Sequence, residues 1–243
     1  MTHRISIFLF SFFIFWEISV NLFYLPKYIL PPPTDIFLAM YNNKATIIYH
    51  TYITFVEVFL GLTIGFILGV ATAIQIAFSS FSRVFLRPFL VFSQAIPVFA
   101  LAPLLTLWFG YGLTSKVIMA ILIIYFPITS NFLDGLTSTP KGYLDLAHLM
   151  GGKKHLIMLK IKVPYAIPYL GSGLKLAAVY APIGATIGEW VGSSEGLGYL
   201  MLLANGRVKT DLMFASMMIL CLLSLFLYYS VSFMTKKLKI FNP

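Results

Sequence analysis

The sequence predicts an all-α membrane protein that crosses the bilayer about six times. Of its 243 residues, 59% are hydrophobic and 10% are charged, and the mean hydropathy is +0.90. Ordinary soluble domains carry roughly 25% charged residues, so this composition cannot cover a water-facing surface. Long apolar stretches separated by short charged segments indicate helices that span lipid, because backbone groups inside a bilayer must be hydrogen-bonded within the chain.

Six apolar stretches are predicted spans, and together they make one transmembrane domain over residues 1–243. The second stretch, Val58–Ser82, has no charged residue and would measure about 37 Å as a helix. We expect the first, Ile5–Leu25, to be a retained helix, since it exceeds the roughly 7–15 residues of a signal-peptide core and no small-residue cleavage site follows it. Ile167–Trp190 contains Lys175, but a helix is the form that satisfies its backbone. The other three are Pro88–Ser115, Val117–Leu133 and Leu212–Thr235.

The distribution of Lys and Arg predicts the orientation, because cytoplasmic loops carry an excess of these residues. With a cytoplasmic N-terminus, eleven fall inside and five outside. Both termini are therefore expected in the cytoplasm, in an inner-membrane, multi-pass protein. The inside residues are Arg4, Arg83, Arg87, Lys141, Lys153, Lys154, Lys160, Lys162, Lys236, Lys237 and Lys239, and the outside residues are Lys27, Lys44, Lys116, Arg207 and Lys209. Because these charges lie between apolar runs, we interpret them as contacts with lipid headgroups and as determinants of topology, and not as a nucleic-acid-binding surface.

The longest predicted cytoplasmic segment covers residues 135–166. We expect a helix over Tyr143–Met150, a turn at Gly151-Gly152, and a basic amphipathic helix over Lys153–Val163 that ends at Pro164. A basic helix beside a membrane often lies on anionic lipid, and composition alone leaves that interpretation open.

The spacing within this segment resembles the cytoplasmic loop of permease subunits of binding-protein-dependent ABC importers. That loop has the pattern Glu-Ala-Ala, three residues, Gly, nine residues, Ile, one residue, Leu-Pro. The resemblance implies the type I importer permease fold, with a coupling-helix loop that docks on a separate ATPase and transmits its closure to the membrane helices. The matching positions, with Asp for Glu, Leu for Ala and Val for Leu, are Asp145, Leu146, Ala147, Gly151, Ile161, Val163 and Pro164.

Further stretches resemble the nitrate, sulfonate and taurine branch of these permeases, most closely those for pyrimidine precursors of thiamine. They are Ser93–Pro97, Trp108–Gly112, Gly188–Trp190 and Gly196–Leu200. Permeases for riboflavin and for sulfonates share much of the same sequence, so the resemblance does not decide among these compounds as the solute. The resemblance implies a homodimer, two ABC ATPase subunits, an extracytoplasmic solute-binding protein at the outer loops 31–43 and 192–211, and alternating access.

No motif for chemistry is found in the sequence, so no catalytic, cofactor or metal site is predicted. The phosphate-binding pattern Gly-x-x-x-x-Gly-Lys-[Ser/Thr] is absent, and the Gly151-Gly152-Lys153-Lys154 stretch has neither its spacing nor its hydroxyl. The four histidines are scattered, and Cys221 has no partner for an internal disulfide. ATP hydrolysis is therefore expected on a partner chain, and this chain is predicted not to be an enzyme.

Charged and kink-forming residues inside the spans are the candidates for the pathway. We expect Glu57 and Glu189 near the outer ends of their helices, close to water. Possible pathway-lining residues are Gln94, Pro97, Pro103, Pro182 and Glu189, since proline kinks often border cavities. The alternative is an ion-gradient-driven secondary transporter with Glu57 or Glu189 as the coupling carboxylate, which would leave the spacing of residues 145–164 unexplained.

Overall fold

The computed structural model describes residues 2–238, with the side chains of residues 7, 8 and 10–236. Within that range the chain forms eleven α-helices and no strand, which confirms the all-α class. Lys239 and the side chains of Arg4 and Lys237, which entered the charge count, lie outside the described part. The helices are α1 Thr2–Leu22, α2 Pro33–Asn42, α3 Lys44–Phe78, α4 Ser80–Ala95, α5 Val98–Phe109, α6 Leu113–Thr137, α7 Lys141–Leu149, α8 Lys154–Ile157, α9 Val163–Gly192, α10 Leu197–Gly206 and α11 Thr210–Leu238.

Several of these helices are long and apolar enough to cross a bilayer. Within the described residues there are four: α3, α6, α11 and the stretch Lys154–Gly192, which ends with α9. The pair α4 and α5 makes a fifth if it counts as one bent span. Helix α1, Thr2–Leu22, covers most of the first predicted span, Ile5–Leu25.

The stretch predicted as one continuous span over Pro88–Ser115 is two helices. Helices α4 and α5 meet at 101°, and Pro97 lies at the junction. The preceding Ile96 has φ −80° and ψ 123°, because proline disfavours the helical conformation of the residue before it. The helix is interrupted at Pro97, whereas Pro103 lies inside α5 and Pro182 lies inside α9.

Helix α6 lies between α3 and α9 and forms the centre of the molecule. The glycines spaced by four on α3 allow the close approach. A Cβ atom on Gly61 would lie 2.6 Å from Cβ of Ala120, and one on Gly65 would lie 2.7 Å from Cδ1 of Ile124. These glycines therefore form the face on which α3 packs against α6. An apolar core that includes Val58, Ile124 and Ala181 fills the space between these helices and α11.

The basic helix predicted to end at Pro164 continues into the membrane. Helix α8 leads through a π-helical turn, Met158–Lys162, directly into α9, and Pro164 occupies the first turn of α9. The prediction that Pro164 ends the helix is wrong, because the π-helical turn before it already departs from the α-helical hydrogen-bond pattern, so the N–H that proline lacks costs little there. The wider π turn lets the chain pass the proline ring.

Candidate functional site

Helix α7 and the turn after it project from the bundle at one end. No residue of α7 is buried. The helix ends in a tight turn in which Gly151 has φ +72°. The backbone N–H of Gly152 donates to the carbonyl of Ala147 over 2.8 Å, and that of Gly151 donates to the carbonyl of His148 over 2.9 Å. These bonds close the last turn of the helix in the way that glycine after a C-terminus usually does.

The predicted coupling residues lie on both sides of this turn. Asp145, Leu146 and Ala147 are on α7, and Gly151 forms the turn. Ile161 lies in the π turn, whereas Val163 and Pro164 begin α9. Asp145 lies in the second turn of α7, because that helix begins at Lys141. In that position the helix dipole gives the carboxylate of Asp145 little stabilisation.

An exposed apolar face on α7 was missed from the sequence. Leu149 is 86% exposed, Met150 79%, Leu146 58% and Tyr143 54%. Residues 143, 146 and 150 recur at helical spacing, which is the signal that would have identified one face. Large apolar side chains grouped at such exposure indicate a surface that binds another protein or a membrane. We call Tyr143, Leu146, Leu149 and Met150 the α7 face.

A cavity of about 440 Å³ lies between α4, α5, α6 and α9. Gln94 borders it, as predicted for a pathway residue, and so do Ser130, Asn131 and Tyr180, which were not predicted. The residues on α6 recur at intervals of three and four, which is the signal in the sequence that marks one helix face. The remaining lining residues are Val98, Ile123, Phe126, Pro127, Leu176 and Ile183.

The other predicted pathway residues lie away from this cavity. Pro97 forms the bend beside Val98, and Pro103 is exposed on α5. Pro182 and Glu189 are buried in α9. A pathway role for Gln94 stays a prediction, and the geometry gives Pro182 and Glu189 a place in the protein interior instead.

The N-terminus of α10 is held by side chains from two other helices. The backbone N–H of Leu197 donates to Thr54 Oγ1 over 2.8 Å, and that of Gly198 donates to Glu189 Oε2. Thr54 Oγ1 in turn donates to Glu189 Oε1 over 2.6 Å. Just before the helix, the N–H of Gly196 donates to Nδ1 of His50 over 3.0 Å. We call these residues the α10 junction.

Two carboxyl groups meet in the α10 junction, away from solvent. Glu57 is 2% exposed and Glu189 is 1% exposed, and the two side chains interact electrostatically with each other. The expectation that they lie close to water is wrong, because α10 folds back over the N-terminal half of α3 and the C-terminal end of α9. Lys116, predicted in an outside loop, is 4% exposed at the start of α6, where Nζ donates to the carbonyls of Tyr111 and Gly112 over 2.7 and 3.1 Å.

The segment between α1 and α2 is tied down by one ion pair. Lys27 Nζ lies 2.7 Å from Asp35 Oδ2, and the hydrogen bond to Asp35 raises the pKa of Lys27. The carbonyl of Lys27 also accepts a hydrogen bond from Thr210 at the start of α11 over 2.7 Å. The predicted outer loops 31–43 and 192–211 are thereby adjacent in space.

These features define a class: a multi-pass helical membrane subunit with a projecting apolar turn and an uncharged cavity between its helices. Residues 61–239 match the family described as the binding-protein-dependent transport system inner membrane component. The chain belongs to this family, which makes it an ABC importer permease subunit, a transport component rather than an enzyme.

Similar proteins agree with this assignment. The chain is 48% identical over 219 residues to a probable ABC transporter permease protein of Haemophilus influenzae, covering 90% of this chain and 89% of that protein. It is 35% identical over 221 residues to the formylaminopyrimidine transport permease protein ThiX of Halalkalibacterium halodurans, covering 90% and 88%. In fold it is similar to a chain of the inward-facing MetNI methionine ABC transporter, with TM-score 0.67, 17% identity and coverage of 77% and 93%.

Proposed function

We propose that two copies of this chain form the solute pathway of an ABC importer and that the α7 face docks on two ATPase subunits. The single observation that carries this proposal is the α7 face, which projects beyond the spans on a turn closed by backbone hydrogen bonds. A turn with fixed geometry can transmit movement from a partner to α9, because the π turn and α9 follow α8 without a break. The proposed coupling residues are Asp145, Leu146, Ala147, Gly151, Ile161, Val163 and Pro164.

An exchange of leucine for aspartate on the α7 face tests the docking. Leu149→Asp should abolish solute uptake and co-purification of a co-expressed ABC ATPase subunit, because a charge in an apolar contact must be desolvated without a partner. Val208→Asp is the matched control, since Val208 is 66% exposed at the opposite end of the molecule. Val208→Asp should still co-purify with the ATPase subunit. Equal ATPase recovery in the two variants would contradict the docking proposal.

The proposed orientation places both termini and the α7 face in the cytoplasm. The excess of Lys and Arg on that side supports it. In a Cys221→Ser background, single cysteines at Lys153 and Asn43 should react with a membrane-impermeant maleimide from opposite sides of the membrane. Reaction from the same side would contradict this orientation.

The proposed solute is a neutral heterocycle of the kind represented by pyrimidine precursors of thiamine. The ten residues that border the cavity carry no charge, and a permanently charged solute would lose its hydration there without compensation. Phe126 and Tyr180 offer aromatic faces to a planar ring. Gln94, whose amide has no partner among the described residues, and Asn131 offer hydrogen bonds. This chemistry favours a pyrimidine over a sulfonate or taurine, and the similarity to ThiX supports it.

Uptake of radiolabelled formylaminopyrimidine tests this assignment in the full complex. Gln94→Leu should reduce uptake by roughly tenfold, the effect of about one lost hydrogen bond to a solute. Gln75→Leu makes the same exchange at an exposed glutamine of α3 outside the cavity and should leave uptake unchanged. Unlabelled taurine in excess should not compete. Competition by taurine, or equal uptake by the two variants, would overturn the assignment.

A further inference from the structure

The α10 junction contains an arrangement that the transport function does not by itself require. Two carboxyl groups are buried against each other beside the start of a helix. Of the eight acidic residues in the chain, Glu57 and Glu189 are the ones that the structure buries within the described part. Two ionised carboxylates in contact and out of water would repel each other, so the pair must share a proton or gain a cation.

The hydrogen bonds around Glu189 show that its carboxyl group only accepts. Oε1 accepts from the hydroxyl of Thr54, and Oε2 accepts from the backbone N–H of Gly198. The first N–H groups of a helix have no partner within the helix, and their partial positive charge favours an anion. Glu189 therefore acts as the cap of α10 from a neighbouring helix, a role that suits the ionised form.

The surroundings of Glu57 differ in one respect. Its Oε2 atom is shielded from solvent and accepts no hydrogen bond from any described residue. An ionised carboxylate would leave a charged oxygen unpaired there, which costs far more than an unpaired carbonyl oxygen of the protonated acid. A protonated Glu57 can also donate to Glu189, which already accepts from two other directions.

Among the residues that the structure describes, no cation neutralises the pair by direct contact. Lys116 is the nearest basic group on α6, but its Nζ donates to the carbonyls of Tyr111 and Gly112, and it forms no ion pair with Glu57 within the described residues. The other ionisable groups are His50 on α3, which accepts from Gly196, and Glu195, which accepts from the hydroxyl of Tyr49. One proton on the pair together with Lys116 leaves the buried cluster neutral.

We propose that Glu57 and Glu189 hold a single proton carried by Glu57, and that the ionised Glu189 is the positioning residue that fixes α10 against α3 and α9. The proton turns a repulsive pair into a donor and an acceptor. Glu189 then bonds the backbone of α10, the hydroxyl of α3 and the acid of Glu57 at once. The outer end of the subunit is thereby held as one unit, with Gly196 and Gly198 leaving room for the carboxyl group.

Exchange of each carboxyl for an amide separates the two roles. The amide of Glu57→Gln can still donate to Glu189, whereas the amide of Glu189→Gln must turn an NH₂ group toward one of its donors. The reporter is Leu200→Cys on α10, 2% exposed, in a Cys221→Ser background. Labelling by an impermeant maleimide should stay within about twofold in Glu57→Gln and rise roughly tenfold or more in Glu189→Gln, as expected for losing a charged hydrogen bond. The opposite asymmetry would overturn the proposal.

Infrared spectroscopy tests the proton itself and needs only variants that fold. In the full chain in a detergent without ester groups at about pH 8, exposed carboxyls are ionised, so a carbonyl band of a protonated carboxylic acid reports a buried one. We expect that band in the unmodified chain and in Glu195→Gln, a control at the same pocket. It should be absent in Glu57→Gln. Persistence of the band in Glu57→Gln, or its absence in the unmodified chain, would refute the assignment whether or not Glu189→Gln accumulates.

Discussion

The α10 junction and the α7 turn both depend on a glycine with positive φ, but their surroundings are opposite. Gly196 has φ +103°, and a Cβ atom placed on it would collide with the carboxyl group of Glu189. Gly151 has φ +72°, and no atom lies within 4 Å of a Cβ placed there. The first glycine is required by space and backbone together, whereas the second is required by backbone alone.

The hydrogen bonds around the two glycines differ in the same way. In the α10 junction, side chains of α3 and α9 accept hydrogen bonds from the backbone at the start of α10. Thr54 and His50 of α3 lie more than a hundred residues away from their donors in the sequence. In the α7 turn, the bonds are between backbone groups of neighbouring residues, and the large apolar side chains face outward. The junction is complete within one chain, and the turn has the properties of a surface that a partner completes.

The largest effect is expected at Gly196. At φ +103° and ψ 165° the backbone of Gly196 lies in a region that essentially only glycine adopts, so Gly196→Asn tests the space and the backbone together. The side chain would displace Glu189 and open the α10 junction, at a cost of roughly 3 kcal/mol or more. Thermal unfolding of the purified chain should show a large loss. Gly206→Asn, at the other end of α10 with open space around it, should unfold as the unmodified chain does, and equal losses would show that α10 tolerates no asparagine.

A smaller effect is expected at Thr54, whose hydroxyl connects Glu189 with the N–H of Leu197. Thr54→Val keeps the shape and leaves one buried N–H without its acceptor, which should cost roughly 1–3 kcal/mol. Thr63→Val is the matched control, because the hydroxyl of Thr63 bonds only the carbonyl of Phe59 in its own helix. Equal thermal stability of the two variants would show that the hydrogen bonds of the junction contribute little.

The fold class and the α7 turn were predictable because local signals determine them. Hydropathy marked the long helices, and the loop pattern marked a turn at Gly151, whose positive φ is confirmed. The α10 junction was not predictable, because it joins Thr54 to residues beyond position 180. Glu57 and Glu189 were expected near water for the same reason: single-helix arguments cannot show that α10 covers them. The bend at Pro97 was expected as a kink, but its size of 101° depends on packing around it.

The smallest effect on stability, with a large one on transport, is expected at Gly151. Because nothing lies near its Cβ position, a substitution there costs only the positive φ, roughly 1–2 kcal/mol for a β-branched residue and less for asparagine. Gly151→Val should therefore insert normally and lose no more stability than this, but it should misplace α7, so that uptake and recovery of the ATPase subunit are lost. Gly151→Asn should retain most of the uptake and most of the ATPase recovery.

Gly142→Val, at the start of the same helix with open space and no positive φ, controls for adding a valine. If Gly151→Val and Gly151→Asn behave alike, the backbone of this turn does not set the position of the docking face. If Gly151→Val and Gly142→Val fail together, α7 is sensitive to any added bulk, and the contrast between a turn completed by a partner and a junction complete in itself no longer holds.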